Sequence, residues 1–435
     1  MAEMFDIKGI ARRDELEKRK QVIVRRRRII FLSVLGVVVL FILFVVLYSF
    51  TDVMFGVAEE LESAPQGGDW AMFRRDQSHT GGSSESDISG TLKWTFTTGN
   101  GIHSSPAVVN GIVYFGSRDH NLYALDAGTG ELVWSFRTES WVESSPVIVD
   151  GVLYCGSNDG HLYALDAATG VEKWRFRVKY GVRSSPAVAD ARVYVGSDDY
   201  LLYAVDALTG KELWRLETDN IVISSPLVTG GIVVFGSMDG NLYAVNAENG
   251  RHRLEYETDA PIVSSPVLAG GTVYITNSAG IIYAIDPAKR NWLFENRMSI
   301  YWQALYIYGV APRPPPPSGH IWAQRLAFGN IVGSSPAVLD GAIYFGLDNK
   351  MISLNASDKK INWTFAAGDW VLSSPAVTST AIYFGSNDGR LYALDRATGS
   401  RLWDYLTGDK VSSSPAVADG MLYVGSENGI FYAFD

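Results

Sequence analysis

His103, Glu143 and Arg183 stand forty residues apart and put an imidazole, a carboxylate and a guanidinium at the same point of three successive sequence copies. Each directly precedes a Ser-Ser-Pro triplet. In the other copies that position holds Ile223, Val263, Gly333, Leu372 and Ser412. A residue repeated in every copy does the same packing job in each, so a position that varies is the better candidate for function. Trp141 and Trp370 stand two residues before Glu143 and Leu372 and add aromatic surface. A rim that mixes aromatic and charged side chains suits the binding of a protein partner. Ordinary variation of surface residues is the alternative reading.

Other residue types that could do chemistry point away from it. Asp126, Asp166, Asp206, Asp286, Asp395 and Asp435 recur at one place in the repeat, which reads as turn capping rather than a carboxylate cluster. His103, His120 and His161 do not have the spacing of a metal-ligand set. Cys155 is the only cysteine, so no internal disulfide forms and no cysteine near the N-terminus is available to carry a lipid.

The elements that must position these residues follow from the period. The Ser-Ser-Pro prolines are Pro106, Pro146, Pro186, Pro226, Pro266, Pro336, Pro375 and Pro415, spaced by 40 residues or nearly so except for one interval of 70. One unit, SSPAVVNGIVYFGSRDHNLYALDAGTGELVWSF, contains four apolar runs rich in Val, Tyr, Phe and Leu. Asn-Gly, Asn-Asp-Gly and Thr-Gly turns separate such runs. Four short antiparallel strands repeated at this interval describe a propeller blade. The last unit lacks a fourth strand, and an unpaired one, TLKWTF, stands at residues 91–96 before the first triplet. Joining the two completes an eighth blade and removes the open sheet edge. The expected fold is therefore all-β, an eight-bladed β-propeller of four-stranded antiparallel blades, over residues 69–435. The aliphatic residue two before each triplet, such as Ile102, Val142 and Val182, is expected to point inward by strand alternation. Trp94, Trp134, Trp174, Trp214, Trp363 and Trp403 recur in the fourth strand as scaffold.

The segments ALDAGTGELVW (124–134), ALDAATGVEKW (164–174), AVDALTGKELW (204–214) and ALDRATGSRLW (393–403) resemble the repeat of PQQ-like β-propellers, named for pyrroloquinoline quinone. DWAMFRRDQSHTG (69–81) resembles the lead-in segment of the same family. The family includes quinoprotein dehydrogenases and non-enzymatic scaffolds of outer-membrane protein assembly, so the resemblance specifies fold more than function. An oxidoreductase of this kind would need a Ca²⁺ site of Glu, Asn and Asp, a catalytic Asp and usually a vicinal cysteine pair on the quinone. The lone Cys155 cannot supply the pair, and no residue here takes any of these roles, so neither PQQ nor Ca²⁺ is supported by the residues.

The long interval holds an insertion at about residues 287–319, between the third and fourth strands of the fifth unit. Trp292, Phe294, Tyr301, Trp302, Tyr306 and Tyr308 make it aromatic, with a helix expected within 291–309 and polyproline II at 314–317. Trp292, Tyr301 and Trp302 are candidate contacts to a partner or to a membrane surface; a flap packed on its own blade is the alternative.

Residues 1–28 form a basic tail with ten Lys/Arg and five Asp/Glu. Residues 29–50 carry no charge and are long enough to cross a bilayer. The positive-inside bias puts the tail in the cytoplasm and the propeller outside it, joined by a linker at 51–68. The net charge of −10 leaves −15 beyond the tail, which excludes a nucleic-acid binder. These features describe a single-pass membrane protein with a monomeric extracytoplasmic propeller. The leading function is a non-enzymatic scaffold for a protein partner in the cell envelope. A membrane-tethered quinoprotein oxidoreductase and a ligand-sensing ectodomain are the alternatives.

Overall fold

The computed structural model describes residues 70–82, 88–292, 295–326 and 334–435. The basic tail (1–28), the expected transmembrane helix (29–50) and the linker (51–68) lie outside these residues. Among the described residues no helix is long and apolar enough to cross a membrane.

Eight four-stranded antiparallel sheets account for thirty-two strands. Blade I is β2 (Ala107–Val109), β3 (Ile112–Gly116), β4 (Asn121–Asp126) and β5 (Leu132–Arg137). Blades II to VII are β6–β9 (147–177), β10–β13 (187–217), β14–β17 (227–257), β18–β21 (267–325), β22–β25 (337–366) and β26–β29 (376–406). Blade VIII joins β30 (Ala416–Ala418), β31 (Met421–Gly425) and β32 (Ile430–Phe434) to β1 (Leu92–Thr97). The closure expected from the orphan strand is thus observed, with Thr97 opposite Ile430 and Leu92 opposite Phe434. In blade I, Asn110 and Gly111 take φ of 52° and 73° between β2 and β3, the paired left-handed residues of a type I′ hairpin turn.

The first strands of neighbouring blades contact one another and form the inner wall. There the second serine of each triplet does what one copy alone cannot reveal. The N–H of Ser105 donates to Ser145 Oγ at 3.0 Å, and that of Ser145 to Ser185 Oγ at 3.1 Å. The same step runs through Ser225, Ser265, Ser335, Ser374 and Ser414, and Ser414 N–H returns to Ser105 Oγ at 3.2 Å. The belt of eight bonds is buried and closed on itself. Each bond satisfies a backbone donor that would otherwise be orphaned at a cost of about 1–3 kcal/mol.

The tryptophans fasten blade to blade at the other face. Trp134 Nε1 and Tyr114 Oη in blade I both donate to the carbonyl of Ala167 in blade II, at 2.9 and 3.2 Å. The same pair of donors recurs one blade on, from Trp174 and Tyr154 to Ala207. The recurring aspartates cap turns as expected: Asp126 Oδ1 accepts from the N–H of Gly128 and Thr129 and from Thr129 Oγ1, and these bonds hold its carboxyl below the usual range.

Residues 70–82 cross the inner wall as a plug made of successive turns, with Arg74, Arg75 and His79 at positive φ. Trp70 and Val108 exchange backbone bonds at 2.8 Å, and Ile148, Leu268, Val338 and Val377 donate to the carbonyls of Ala71, Ser78, Thr80 and Gly81. Gln77 Nε2 adds a bond to Val188 O, so the segment touches the first strands of six blades. Arg74 and His79 are buried in it; the Arg74 guanidinium donates to Ser335 O and His79 O, and His79 Nδ1 to Pro266 O.

Candidate functional site

Among the described residues, the loops from a fourth strand to the next first strand and the turns between second and third strands emerge on one face. His103, Glu143 and Arg183 lie in the former, in irregular chain that precedes each first strand. Strand alternation therefore does not explain their buried neighbours, which corrects the expectation from sequence. Ile102, Val142 and Val182 are buried because each seats on a glycine: a Cβ on Gly116 would stand 2.3 Å from Val142 Cγ1. Anchored there, the loop turns its next side chain to the face.

That side chain meets the second-to-third-strand turn. Arg118, in the turn of blade I, donates through Nε to Glu143 Oε1 at 2.7 Å and lies 3.8 Å from Glu427, in the turn of blade VIII. Its guanidinium also sits over the Trp141 ring, 5.0 Å from the centroid. Asn158 Nδ2 donates to Glu143 Oε2 at 3.2 Å. His103 Nε2 is 3.1 Å from Glu427 Oε1, and His103 Nδ1 is 3.3 Å from Ser412 Oγ. One network thus runs from Ser412 through His103, Glu427, Arg118 and Glu143 to Asn158, across the mouth of blades VIII, I and II. Arg183 does not join it; it makes its own bidentate pair with Asp198 at 2.9 Å. Of the three polar residues singled out by sequence, two are brought together and the third stands beside them.

Electrostatics follow from burial and pairing. Burial lowers the His103 imidazole, with Glu427 opposing it, so His103 is neutral at pH 7. Burial works to raise the Glu143 carboxyl, but bonds from Arg118 and Asn158 outweigh it and hold the group ionised. Beyond the network the mouth turns apolar, with Ile223, Met238, Val263 and Leu372 half-buried. Trp141 and Trp370 are 42% and 50% exposed, the exposed aromatics that the sequence led one to expect.

The network does not suit a calcium–quinone centre. The arginine fills the space between Glu143 and Glu427 where a divalent ion would need to stand, and Asn158 turns an N–H, not an oxygen, to Glu143. Cys155 is buried, its thiol pushed up to about 12, and takes no part. Among the described residues no group of three or more His, Cys, Asp or Glu side chains is placed to hold a metal ion.

The insertion is the other candidate region. It leaves β20 (Ile281–Ile285) and first runs along the outer edge of blade IV, where the Asn291 side chain accepts from the Glu255 N–H at 2.6 Å and donates to its carbonyl at 3.2 Å. One helix, α1 (Glu295–Ile307), follows, starting later than the earliest position expected. Tyr301 is 68% exposed, while Trp292 and Trp302 are half-buried, Trp302 Nε1 donating to Pro312 O at 2.9 Å. Between blades I and II a groove of about 490 Å³ opens at the outer rim beside Phe136, Tyr163 and Arg175. It stands apart from the network.

Sequence reasoning missed Arg118, Glu427 and Asn158. The signal was present: the residue after Gly-Ser in the second-to-third-strand turn varies through Arg118, Asn158, Asp198, Met238, Asn387 and Glu427, as the position before Ser-Ser-Pro does.

The family profile described as outer membrane protein assembly factor BamB matches residues 84–181, 174–293 and 307–435. No curated protein matches the chain. Among solved structures, BamB from Moraxella catarrhalis superposes with a TM-score of 0.64 at 16% identity, over 80% of this chain and 99% of its own. A europium-containing methanol dehydrogenase superposes at 0.69 with 16% identity, over 82% of this chain and 90% of its own. The quinohemoprotein alcohol dehydrogenase from Comamonas testosteroni gives 0.68 at 17% identity, over 86% and 81%. Likeness at these identities shows the fold alone.

Proposed function

Because the chain belongs to the family of the outer membrane protein assembly factor BamB, a family of PQQ-like propellers, we propose that it is a non-enzymatic scaffold that binds a protein partner at the mouth of its ring. Residues 29–50 hold it in a membrane, with the basic tail in the cytoplasm and the propeller on the other side, where it serves the assembly of envelope proteins. The observation that carries this reading is the state of the charged groups at the mouth. The Arg118 guanidinium lies between two carboxylates, Arg183 grips Asp198, and the lead-in segment spans the channel behind them. Such groups are engaged with one another, which suits a rigid recognition surface better than acid–base or redox work. Exposed Trp141 and Trp370 and the apolar arc through Ile223 and Val263 supply the area a partner would cover.

The test places a photocrosslinking residue at Trp141 or Trp370 in the full chain in its own membrane. A discrete protein adduct at both positions, lost when Arg118→Glu reverses the charge of the network, is expected. In parallel, the purified chain is titrated with PQQ and Ca²⁺ and assayed for dye-coupled alcohol oxidation. Saturable cofactor binding with turnover sinks the scaffold reading in favour of a quinoprotein.

A further inference from the structure

We infer that the tip of the fifth-blade insertion, residues 298–310, is a second membrane contact that inserts into the interface of an anionic bilayer. The inference rests on the reading that residues 29–50 keep the propeller at a membrane. Its own evidence is threefold.

The tip is apolar over most of its surface, with Ser299 and Gln303 sharing the one polar side. Ile300, Tyr301, Leu305, Ile307, Tyr308 and Val310 are all exposed, Tyr308 at 82% and Val310 at 72%. A helix built for a protein groove buries one stripe at i, i+3, i+4 and i+7 and keeps the rest polar. Exposed apolar residues over most of the circumference suit immersion in a solvent that is itself apolar. Tyrosine and tryptophan are the residues that favour the headgroup boundary of such a solvent.

The tip also carries few polar groups that water alone would satisfy. The helix ends in a Schellman motif: Val310 N–H donates to Leu305 O and Gly309 N–H to Tyr306 O, with Gly309 at φ 71°. Trp302 Nε1 is bonded to Pro312 O. Backbone groups closed internally are what a segment needs before it enters a lipid phase.

Charge supplies the third argument. Beyond the basic tail the chain carries a large acidic excess, yet the sequence from 286 to 319 holds four basic residues, Lys289, Arg290, Arg297 and Arg313, against two acids, Asp286 and Glu295, and Lys289 stands 3.8 Å from Asp286. A net-basic segment that carries an apolar tip is complementary to anionic headgroups and opposite in sign to the rest of the ectodomain.

The experiment uses the full chain with Tyr308→Cys carrying an environment-sensitive fluorophore. Cys155 is buried and stays unlabelled. A label at Leu208→Cys, another exposed third-to-fourth-strand turn on blade III, is the control. Both are reconstituted in vesicles of phosphatidylcholine and phosphatidylglycerol. The Tyr308 label should be quenched by nitroxides on the lipid chains and shielded severalfold from aqueous iodide, with the reverse at Leu208. Equal iodide quenching at both sites overturns the inference. So does shielding of Tyr308 from both quenchers, which would mean that protein covers the tip: a second copy, or this chain's own 29–50 run. Flotation with the vesicles reads the tether separately. A chain that floats with Tyr308 in water loses only the tip contact, and a chain that does not float loses both.

Discussion

His79 offers a sharp test of the plug. Its ring is buried within residues 70–82, and burial pushes it down to about 3; the bond to Pro266 O opposes that shift and the Arg74 charge adds to it. In the unfolded chain the same imidazole titrates near 6.5, as a free histidine does. A depressed folded value means the unfolded state binds the extra proton as pH falls. The stabilisation is fully present above about pH 6.5 and declines by up to ~1.4 kcal/mol per pH unit below it, down to about 3. At pH ~4.5 the accumulated loss is about 2.7 kcal/mol. His79→Asn removes the titration while keeping a side-chain N–H, and Asn tolerates the left-handed backbone found there, φ 55°. The variant should lose about 1 kcal/mol at neutral pH from the imperfect bond. It should then fall less steeply than the parent between pH ~7 and ~4.5, the two curves crossing on the way. Urea unfolding across that range reads the difference, and carboxylates common to both chains cancel. Parallel curves would refute the idea that the plug is held by a buried neutral histidine.

Two further outcomes follow from the geometry. Arg118→Met strands Glu143, whose side chain is 15% exposed, so its carboxyl should titrate higher and stability at pH 7 should drop by about 2 kcal/mol. Glu143→Gln in the same chain should restore most of that loss, measured by urea unfolding and by the emission of Trp141. Tyr114→Phe and Trp134→Phe each leave the Ala167 carbonyl one donor, whereas the pair leaves it none. The double variant should therefore be less stable than the sum of the singles by about 1 kcal/mol, and additivity within ~0.4 kcal/mol would show that the shared carbonyl does not matter.

Much of the ring was legible because its copies can be compared with one another. The spacing of the prolines set out eight blades, and the orphan TLKWTF strand identified the closure. The serines were visible as a repeated word, but their role was not, since each bond links one copy to the next. Trp322 holds the tryptophan position in blade V, leaving only blade IV with a different residue, Leu254, yet the insertion displaced it from the common offset and hid it. The mouth was half legible. His103 and Glu143 stood out by varying, while Arg118 and Glu427, which connect them, lie in a different turn and touch only when blades VIII and I are brought side by side. The contacts of the lead-in segment run mostly through backbone atoms, so no side-chain pattern announces them.

The pairing of β1 with β32 also has a meaning in time. Thr97 and Ile430 are more than three hundred residues apart, and a ribosome adds residues at roughly 5–20 per second. For many seconds the emerging chain is an unclosed arc with a bare strand edge at each end, the kind of edge that recruits other strands. If the propeller crosses a membrane during synthesis, the span of exposure lengthens by the transit time. A chaperone that shields strand edges would then matter most before the final hairpin arrives. A stop codon between residues 407 and 430 would release a molecule with seven complete blades and no means of shutting.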